Sequence, residues 1–257
     1  MNIPRRKLSA GAALEAAMSM RWRVSVAAVL LALPVASGAQ TRPVKTLLLV
    51  GGGFHDYDKE PQSMAQSLQT RLKDTSPLDI VISQDLGLLR AERILDFGLL
   101  ILNTCAQDEL SAERQQGLLD AVRNGTPLVA LHCTFAAFQK FPEFHQMLGG
   151  FVLKHARYGP MCVEVTNPGH PITRGLPARF EFPDEPYFVE RRDPSVELLL
   201  RTCNAYQGRT GPEPHVWTKT FGKGRIFAMV FGHDRKSQDD PNVQRLLAQG
   251  VLWALNR

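Results

Sequence analysis

Three histidines each follow, within a few residues, an apolar segment with the composition of a β-strand. The segments and their histidines are 46–50 with His55, 128–131 with His132, and 225–231 with His233. An imidazole can transfer a proton near neutral pH, and in its neutral form it binds Zn²⁺ and similar ions. Ligands of open α/β sheets bind outside the carboxyl ends of the strands, so the three imidazoles are predicted to share one site. They are the candidate catalytic groups and also the candidate ligands of a divalent metal.

Other polar residues near these segments can serve the same site. Asp234 directly follows His233 and is expected to orient its ring, as a fourth catalytic residue. The loop 184–187 (Asp-Glu-Pro-Tyr) can supply a carboxylate to a substrate hydroxyl or a metal, although paired acids in loops are more often solvated. The predicted substrate-binding residues are Glu185, Tyr187, Asp56 and His155. No histidine pair has the i, i+4 spacing of a helical zinc motif, so a zinc-type ion is predicted from residue types alone.

His132 occupies the position that a nucleophile takes in a strand–turn–helix elbow, but residues 130–134 lack the pattern Gly-x-Ser-x-Gly. Two roles stay open for it: proton transfer or metal binding, and a core histidine hydrogen bonded to backbone. Cys133 is an alternative nucleophile, since a thiolate needs a nearby base, but adjacent side chains usually point apart. Thr134 is expected to be a helix N-cap.

The glycines at 51–53 follow a strand and precede a helix. Their backbone amides can face an anion, or they can serve a tight turn that needs positive φ. Because the spacing is not GxGxxG and no Lys-Ser/Thr pair follows, no nucleotide is predicted. His170-Pro171 has the pattern of a turn and helix start, with a capping role for His170.

Residues 1–39 have the order of a secretory signal peptide: basic residues within 21–23, an apolar run at 24–36 and small residues at 37–39. The run is shorter than the about 20 residues of a spanning helix, so cleavage and a periplasmic or secreted location are predicted rather than a membrane anchor. An alternative start at Met18 or Met20 leaves residues 1–17 outside the natural protein. Five basic residues and one acidic residue give this leader +4 of the chain's net +5, so no nucleic-acid partner is predicted.

The remaining residues, 40–257, are enough for a single domain with one core. A small-molecule partner is expected, and a homo-oligomer is left open. The four cysteines are too sparse and too widely spaced for a disulfide framework. Export permits a bridge between Cys105 and Cys133, which follow the ends of strands that could be neighbours, but two buried free thiols are the expected state.

Strands and helices alternate in the first half of this region, which predicts βαβ units around a parallel sheet. The predicted strands there are 46–50, 78–82, 97–102 and 127–131, with one helix starting near Pro61 and another capped by Ser111. Strand-like segments then follow with little helix between them, at 161–165, 179–182, 196–201, 215–220 and 225–231. Lys223-Gly224 should join the last two as a hairpin, and Asp240-Pro241 should open a terminal helix. The pattern predicts a doubly wound α/β fold whose mostly parallel sheet is extended by antiparallel strands.

Eight short motifs, in this order along nearly all of residues 40–257, resemble those of the ThuA-like family, named for trehalose utilisation. They are Leu-Val-Gly-Gly-Gly-Phe-His-Asp (49–56), Ala-Leu-His-Cys-Thr (130–134), Met-Leu-Gly-Gly-Phe (147–151), His-Pro-Ile-Thr-Arg-Gly-Leu-Pro (170–177), Asp-Glu-Pro-Tyr (184–187), Val-Trp-Thr-Lys (216–219), Gly-Lys-Gly-Arg-Ile-Phe (222–227) and Gly-His-Asp (232–234). The resemblance implies one ThuA-like domain with a flavodoxin-like α/β sandwich similar to class I glutamine amidotransferases. It also implies replacement of the amidotransferase cysteine, in agreement with His132 at the elbow. The family's acidic loop resembles Asp-Glu-Leu-Tyr, whereas Pro186 stands here.

The resemblance also implies a role in sugar catabolism, with 3-keto-glycosides or other oxidised sugars as substrates. A 3-keto group acidifies the neighbouring C–H, so a histidine base can remove that proton while an acid protonates the departing oxygen. A bound divalent ion can polarise the ketone. The rival hypothesis is a non-catalytic sugar-binding or scaffold domain. Trp217 and Trp253 are predicted to lie in the core rather than to stack on sugars, which favours an enzyme.

Overall fold

The computed structural model describes residues 42–107, 109–190, 192–206 and 208–257. The predicted leader, residues 1–39 with its alternative start, lies outside these ranges and stays a prediction. None of the helices in the described ranges combines the length and the apolar character that a membrane-spanning helix needs.

Nine strands of the described chain form one mixed sheet, and two more form a separate antiparallel pair. The sheet contains β1 (Val44–Gly51), β2 (Leu78–Ser83), β3 (Leu99–Thr104), β4 (Leu128–Leu131), β6 (Gly159–Val165), β7 (Arg179–Asp184), β9 (Glu197–Thr202), β10 (Pro214–Phe221) and β11 (Gly224–Met229). The pair consists of β5 (Phe151–His155) and β8 (Tyr187–Glu190). Across the sheet the order is β2-β1-β3-β4-β11-β10-β9-β6-β7.

Five adjacent strands, from β2 through β1, β3 and β4 to β11, run parallel, and the other four continue the sheet in antiparallel pairs. Parallel strands are usually buried on both faces, which explains why β1, β3 and β4 are almost uniformly apolar. In β1, Leu47 and Leu49 face one side of the sheet, and Leu48 and Val50 face the other. The predicted α/β fold with a mostly parallel sheet and added antiparallel strands is confirmed.

Helices cover both faces of the sheet. They are α1 (Glu60–Leu72), α2 (Ala91–Ile94), α3 (Ala112–Asn124), α4 (Pro142–Leu148), α5 (Arg235–Gln238) and α6 (Pro241–Ala254). Helices α1 and α6 pack on the face that contains Leu48, and α3 and α4 pack on the face that contains Leu47. The start of α6 is as predicted, because the Asp240 carboxylate accepts the N–H groups of Asn242 and Val243 at 2.8 and 3.2 Å. The result is a sheet between two helical layers.

Three local predictions differ from the structure. Ser111 precedes α3 but its side chain makes no capping hydrogen bond. Thr134 is not a helix N-cap: it lies within the 3₁₀ turn His132–Phe135, where its hydroxyl donates to the carbonyl of Leu102 at 2.8 Å. Strands β5 and β8 are absent from the sequence prediction, because each is only four or five residues long and follows no simple alternation. The capping role of His170 is confirmed, since its Nδ1 accepts the N–H of Ile172 at 3.2 Å.

The expectation of free thiols is wrong, because both pairs of cysteines are bridged. Cys105 and Cys133 follow the neighbouring strands β3 and β4, with Cα atoms 4.8 Å apart. Cys162 in β6 and Cys203 just after β9 have Cα atoms 5.4 Å apart, since these strands pair with each other. The sheet thus unites cysteines that lie 28 and 41 residues apart in sequence. In the bridged form Cys133 has no thiolate, so it cannot act as a nucleophile.

Packing between α6 and the sheet predicts a cost for any side chain at Gly250. A Cβ there would lie 2.3 Å from the ring of buried Phe227. Gly250→Ala is expected to lower the free energy of unfolding by about 1–3 kcal/mol, although alanine favours helix more than glycine does. Urea denaturation measures the change. Gly211→Ala is the control, because its added Cβ meets no atom within 4 Å; equal effects of the two substitutions would contradict the packing described.

Candidate active site

Three loops meet at the carboxyl edge of the parallel strands and bring the predicted histidines together. His55 follows β1, His132 follows β4 and His233 follows β11. The ring centroids lie 5.0 Å apart for His55 and His132, 4.8 Å for His55 and His233, and 5.4 Å for His132 and His233. The three imidazoles therefore form one cluster, named here the imidazole cluster.

His132 is the buried member of the imidazole cluster. It lies at the sharp turn after β4 with φ +42°, a left-handed conformation that is uncommon for residues other than glycine. Its Nδ1 lies 3.4 Å from the carbonyl oxygen of Val230. Because a carbonyl only accepts, this contact assigns the proton to Nδ1 and leaves Nε2 unprotonated. Burial, followed by the charges of His55 and His233, holds the pKa of His132 well below its ordinary value, so the ring is neutral.

Tyr187 is the first residue of β8, and its hydroxyl reaches the unprotonated nitrogen of His132. The distance from Oη to Nε2 is 3.1 Å, and Oη also lies 3.6 Å from Cys133 Sγ. Burial raises the pKa of Tyr187 far above its ordinary value, so the hydroxyl keeps its proton and donates to Nε2. The preceding Pro186 fits this arrangement, because its carbonyl accepts the N–H of Ala156 at 2.8 Å and ties the loop to the end of β5.

Glu185 forms an ion pair with His233. Its Oε2 lies 3.1 Å from Nδ1 of His233 and 3.9 Å from Nε2 of His132. Nδ1 of His233 has no aligned hydrogen-bond partner, so the contact is an ion pair rather than a directed hydrogen bond. The nearby Glu185 raises the pKa of His233, although burial opposes it. Burial raises the pKa of Glu185, but His233, His155 and His55 outweigh that effect, and its pKa lies below the ordinary value.

Asp184 is fully buried and fixes the backbone on both sides of this ion pair. Its Oδ2 accepts the N–H of Gly232 at 2.7 Å, the N–H of His233 at 3.3 Å and the hydroxyl of Ser237. Its Oδ1 accepts the N–H of Glu185 at 2.7 Å. Burial raises the pKa of Asp184 to about 6, although the hydrogen bonds oppose this shift. Asp184 is therefore a positioning residue for Glu185 and His233.

The alternative that the acids of the 184–187 loop are simply solvated does not apply. Asp184 is the last residue of β7 and continues the alternation of buried residues Phe180 and Phe182. The side chain of Glu185 is only 15 % exposed. The period-2 burial of β7 is the signal that could have identified Asp184 from the sequence, had the strand been extended by two residues.

The loop that carries His55 lies tightly against the neighbouring loop. Gly52 has φ +108°, and a Cβ there would lie 2.3 Å from the carbonyl carbon of Cys105. The tight-turn role of these glycines therefore applies. This packing places His55 Nε2 3.3 Å from Cys133 Sγ. Burial, followed by the charge of His233, lowers the pKa of His55, so this ring is also mainly neutral at pH 7.

Two tyrosines that the sequence does not single out border the imidazole cluster. The ring of Tyr57 lies 5.8 Å from that of His55, and its hydroxyl is buried without a hydrogen-bond partner among the described residues. The half-exposed ring of Tyr158 lies 5.2 Å from that of His233. Loss of hydration raises the pKa of both tyrosines to about 12, so both remain hydrogen-bond donors at neutral pH. Neither directly follows a predicted strand, which is why strand-end reasoning misses them.

Asp234 does not orient the ring of His233. Its Oδ1 accepts the N–H of Ser237 at 3.1 Å and caps α5. Its Oδ2 accepts the hydroxyl of Tyr158 at 2.9 Å. Both oxygens are thus engaged elsewhere, and Asp234 contributes to the site by holding Tyr158 beside His233.

The other two predicted substrate contacts lie at the rim. His155 ends β5, is exposed, and has Nδ1 3.7 Å from Oε1 of Glu185. Asp56 is exposed, and the partners of its carboxylate are the N–H of Asp58 at 3.3 Å and the ammonium of Lys59 at 3.8 Å. Both partners of Asp56 belong to its own turn, so the structure brings His155 to the cluster but not the side chain of Asp56.

Two groups of donor atoms in the described chain are compact enough to hold one metal ion. One group is His132, Glu185 and His233, and the other is His55, His132 and Cys133; within each, the ligand atoms lie within 4.8 Å of one another. The sulfur of the second group is bridged and therefore is not a thiolate ligand. The first group differs from the predicted ligand set of three histidines, because Glu185 replaces His55 as the third ligand.

A cavity of about 630 Å³ lies away from this cluster. Its lining includes His145, Gln146 and Phe151 but none of the three clustered histidines. Volume alone would favour this cavity as a binding site. The carboxylate of Glu185 and the imidazoles beside it, however, lie at the imidazole cluster. Perturbed, mutually coupled titratable groups are the stronger indication of chemistry, so the cluster is the candidate active site.

Comparison with known proteins yields one family match. Residues 47–254 match the model of the ThuA family, described as trehalose utilisation. None of the curated proteins matches the chain at a significant level.

Several solved structures share the fold. A ThuA-like protein from Parabacteroides merdae has a TM-score of 0.68 at 23% identity, over 83% of this chain and 90% of that one. A ThuA-like protein from Bacteroides uniformis has a TM-score of 0.69 at 21% identity, over 82% and 91%. A GMP synthase-like protein from Thermoplasma acidophilum has a TM-score of 0.51 at 14% identity, over 84% and 98%. At these identities the likeness concerns the fold alone.

The buried hydrogen bonds of Asp184 predict a large stability effect. Asp184→Ala leaves the N–H groups of Gly232 and Glu185 and the hydroxyl of Ser237 without their acceptor. It is expected to lower the free energy of unfolding by about 3–5 kcal/mol, measured by urea denaturation. The control is Asp239→Ala, which removes an exposed ion pair with Arg235 and should cost at most about 1 kcal/mol. A cost for Asp184→Ala no greater than the control's would show that these bonds contribute little.

The ion pair of Glu185 predicts a shift in the titration of His233. Glu185→Gln removes the negative charge, so the pKa of His233 is expected to fall and less of its ring to be protonated at pH 7. NMR titration of the ring protons measures this pKa. The control is Asp234→Asn, which keeps a helix-capping side chain and removes a charge with a smaller influence on His233. An unchanged pKa of His233 in Glu185→Gln would exclude the ion pair.

Proposed function

Because the chain belongs to the ThuA family, described by trehalose utilisation, we propose that it is an exported carbohydrate-active enzyme. Family membership suggests a sugar-related function. The proposed substrate is a 3-keto-glycoside or another oxidised sugar, and the proposed chemistry is acid–base catalysis by the imidazole cluster. One observation carries the proposal: the His233–Glu185 ion pair lies beside a neutral His132. Such a site has a proton donor and a proton acceptor at the same pH.

His132 supplies the base in this proposal. Its Nε2 is unprotonated and faces the hydroxyl of Tyr187 at 3.1 Å. When a keto sugar binds, Nε2 takes the proton from the carbon next to the ketone, and Tyr187 donates to the ketone oxygen, where negative charge develops. Because the low pKa of His132 makes it a weak base, the reaction depends on the acidity that the ketone confers and on the Tyr187 donor.

His233 supplies the acid. Glu185 raises the pKa of His233, so the ring of His233 stays protonated closer to neutral pH than the ring of an isolated histidine does. The imidazolium gives its proton to the glycosidic oxygen as the bond from that oxygen to the sugar breaks. The products are an unsaturated keto sugar and a free alcohol. One proton arrives at His132 and one leaves His233, so the charge of the site is conserved.

The rim residues supply substrate contacts. Tyr158 and His155 flank the ion pair at its exposed side, and both offer polar atoms to sugar hydroxyls. Glu185 can accept a hydroxyl through Oε1, which lies towards His155. These residues add orientation, while the buried His132 and Tyr187 are placed for the reacting atoms.

A divalent ion of the zinc type fits the donor set of His132, Glu185 and His233. Glu185 has a lowered pKa and is therefore ionised. Nδ1 of His233 makes no aligned hydrogen bond, so an ion that binds it would not have to displace a hydrogen-bond partner. When bound, such an ion polarises a ketone oxygen as a Lewis acid. A ligated imidazole cannot also transfer a proton, so the metal-assisted form and the purely acid–base form are alternatives that chelation separates.

The disulfide bridges support the proposed export. Such bridges persist mainly in oxidising compartments outside the cytoplasm. A periplasmic or secreted location agrees with the leader pattern of residues 1–39.

Turnover of a keto-glycoside tests the proposal. The purified protein is incubated with a chromogenic 3-keto-glucoside, and release of the alcohol is measured with and without a chelator. His132→Gln and His233→Gln are each expected to reduce turnover by at least about 100-fold. Turnover should also fall as pH rises through the raised pKa of His233, and in Glu185→Gln this fall should move to lower pH. Loss on chelation selects the metal-assisted form.

The matched control is His170→Asn, which keeps a helix-capping side chain at a histidine outside the imidazole cluster. Its turnover should equal that of the unaltered protein. Binding of keto-glycosides without turnover would select the non-catalytic sugar-binding domain. If no such sugar is bound or turned over, or if both cluster variants keep full turnover, the proposal is wrong.

A further inference from the structure

One of the two disulfide bridges lies against the imidazole cluster. This site bridge joins Cys105 to Cys133, and Cys133 Sγ lies 3.3 Å from Nε2 of His55 and 3.6 Å from Oη of Tyr187. The backbone of the site bridge also touches the loop that carries His55, because Gly52 packs directly on Cys105. A sulfur with two polar side chains at these distances belongs to the site and not only to the scaffold.

The other bridge provides a natural comparison. This distal bridge joins Cys162 to Cys203 between two antiparallel strands. Among the described residues, no hydrogen bond connects either of its sulfurs to a histidine of the cluster. The two bridges are therefore alike in chemistry and different in surroundings.

The atoms around the site bridge have the composition of a soft-metal site. Cys133, His55 and His132 each offer one ligand atom, and these lie within 4.8 Å of one another. Zn–S and Zn–N bond lengths place neighbouring donors of a tetrahedral site about 3.3–3.7 Å apart, and the Nε2–Sγ distance of His55 and Cys133 is 3.3 Å. His55 and Cys133 thus have the spacing of two ligands of one ion, but the bridged sulfur has the wrong charge state, because the ligand form of cysteine is the thiolate.

We propose that the site bridge masks a cation site made of His55, His132 and the Cys133 thiolate, and that a dithiol or phosphine reductant unmasks it. Two electrons from the reductant break the S–S bond, and the two sulfurs take up two protons. A dithiol becomes its disulfide, and a phosphine becomes its oxide with oxygen from water. Binding of a zinc-type cation then releases the thiol proton of Cys133 to solvent. The proposal does not depend on the sugar chemistry.

The exposure of the two cysteine residues favours one direction of attack. Cys133 is 8% exposed and Cys105 1% exposed, so the reductant reaches Cys133 and Cys105 is the leaving thiolate. After reduction, the hydroxyl of Tyr187 can donate to the Cys133 thiolate. A site that contains the Cys133 sulfur favours softer ions than the site formed by His132, Glu185 and His233. His132 is common to both sets, so opening the bridge changes which ions the site prefers.

Cobalt spectroscopy tests the proposal without relying on activity. The protein carries Cys162→Ser and Cys203→Ser, so that sulfur remains only at the site bridge. Co²⁺ is added before and after reduction with a phosphine that is then removed under anaerobic conditions. Near-ultraviolet absorption of a sulfur-to-cobalt charge transfer, saturating at one equivalent of Co²⁺, is expected only after reduction.

Three further substitutions in that background assign the ligands and provide a free thiol that needs no reduction. With Cys105→Ser, Cys133 is a free thiol, so the absorption should appear without reductant. With Cys133→Ser it should be absent in every state. His55→Ala, added to the Cys105→Ser protein, should weaken Co²⁺ binding at least about tenfold. Absence of the absorption in both the reduced protein and the Cys105→Ser variant overturns the proposal, as does its persistence in Cys133→Ser.

Discussion

The common direction of the five parallel strands is the constraint on which the site depends. Because β1, β3, β4 and β11 run the same way, the residues that follow them emerge at one edge, although they are up to about 180 positions apart in sequence. No local interaction draws His55 towards His233. The sheet does so, and its stability comes from strands that are buried on both faces by helices.

Electrostatics then separates imidazoles that are chemically identical. His132 is buried beside other imidazoles and stays neutral, whereas His233 has a carboxylate 3.1 Å from Nδ1 and is more readily protonated. Burial of His132 and the carboxylate beside His233 together give two neighbouring histidines different affinities for a proton. The buried Asp184 maintains this division, because it holds the backbones of both Glu185 and His233. The positions of the charged side chains of Glu185 and His233 are thus set by hydrogen bonds from their backbone N–H groups to Asp184.

The sequence is sufficient to predict the sheet edge and the three histidines, because apolar runs mark the parallel strands and each histidine follows its strand within a few residues. It is insufficient for groups that depend on pairing between distant strands. The bridge between Cys162 and Cys203 follows from the pairing of β6 with β9, which no local pattern encodes. Adjacency in sequence assigns Asp234 to His233, but consecutive side chains diverge and its oxygens reach Ser237 and Tyr158 instead. Asp184 escapes sequence reasoning because its strand extends further than the apolar pattern indicates.

The separate pair of β5 and β8 divides the site between two structural supports. His55, His132 and His233 are attached to the large sheet, whereas Tyr187 and His155 belong to a two-stranded ladder, a type of structure that is marginal alone. The ladder is nevertheless tied to the core of the main sheet, because Val152, Tyr187 and Val189 are buried in it and the N–H of Val189 donates to Glu213 at 3.2 Å. The position of the Tyr187 phenol is therefore set by the packing of this ladder on the core, whereas the three histidines are placed by the order and direction of the strands.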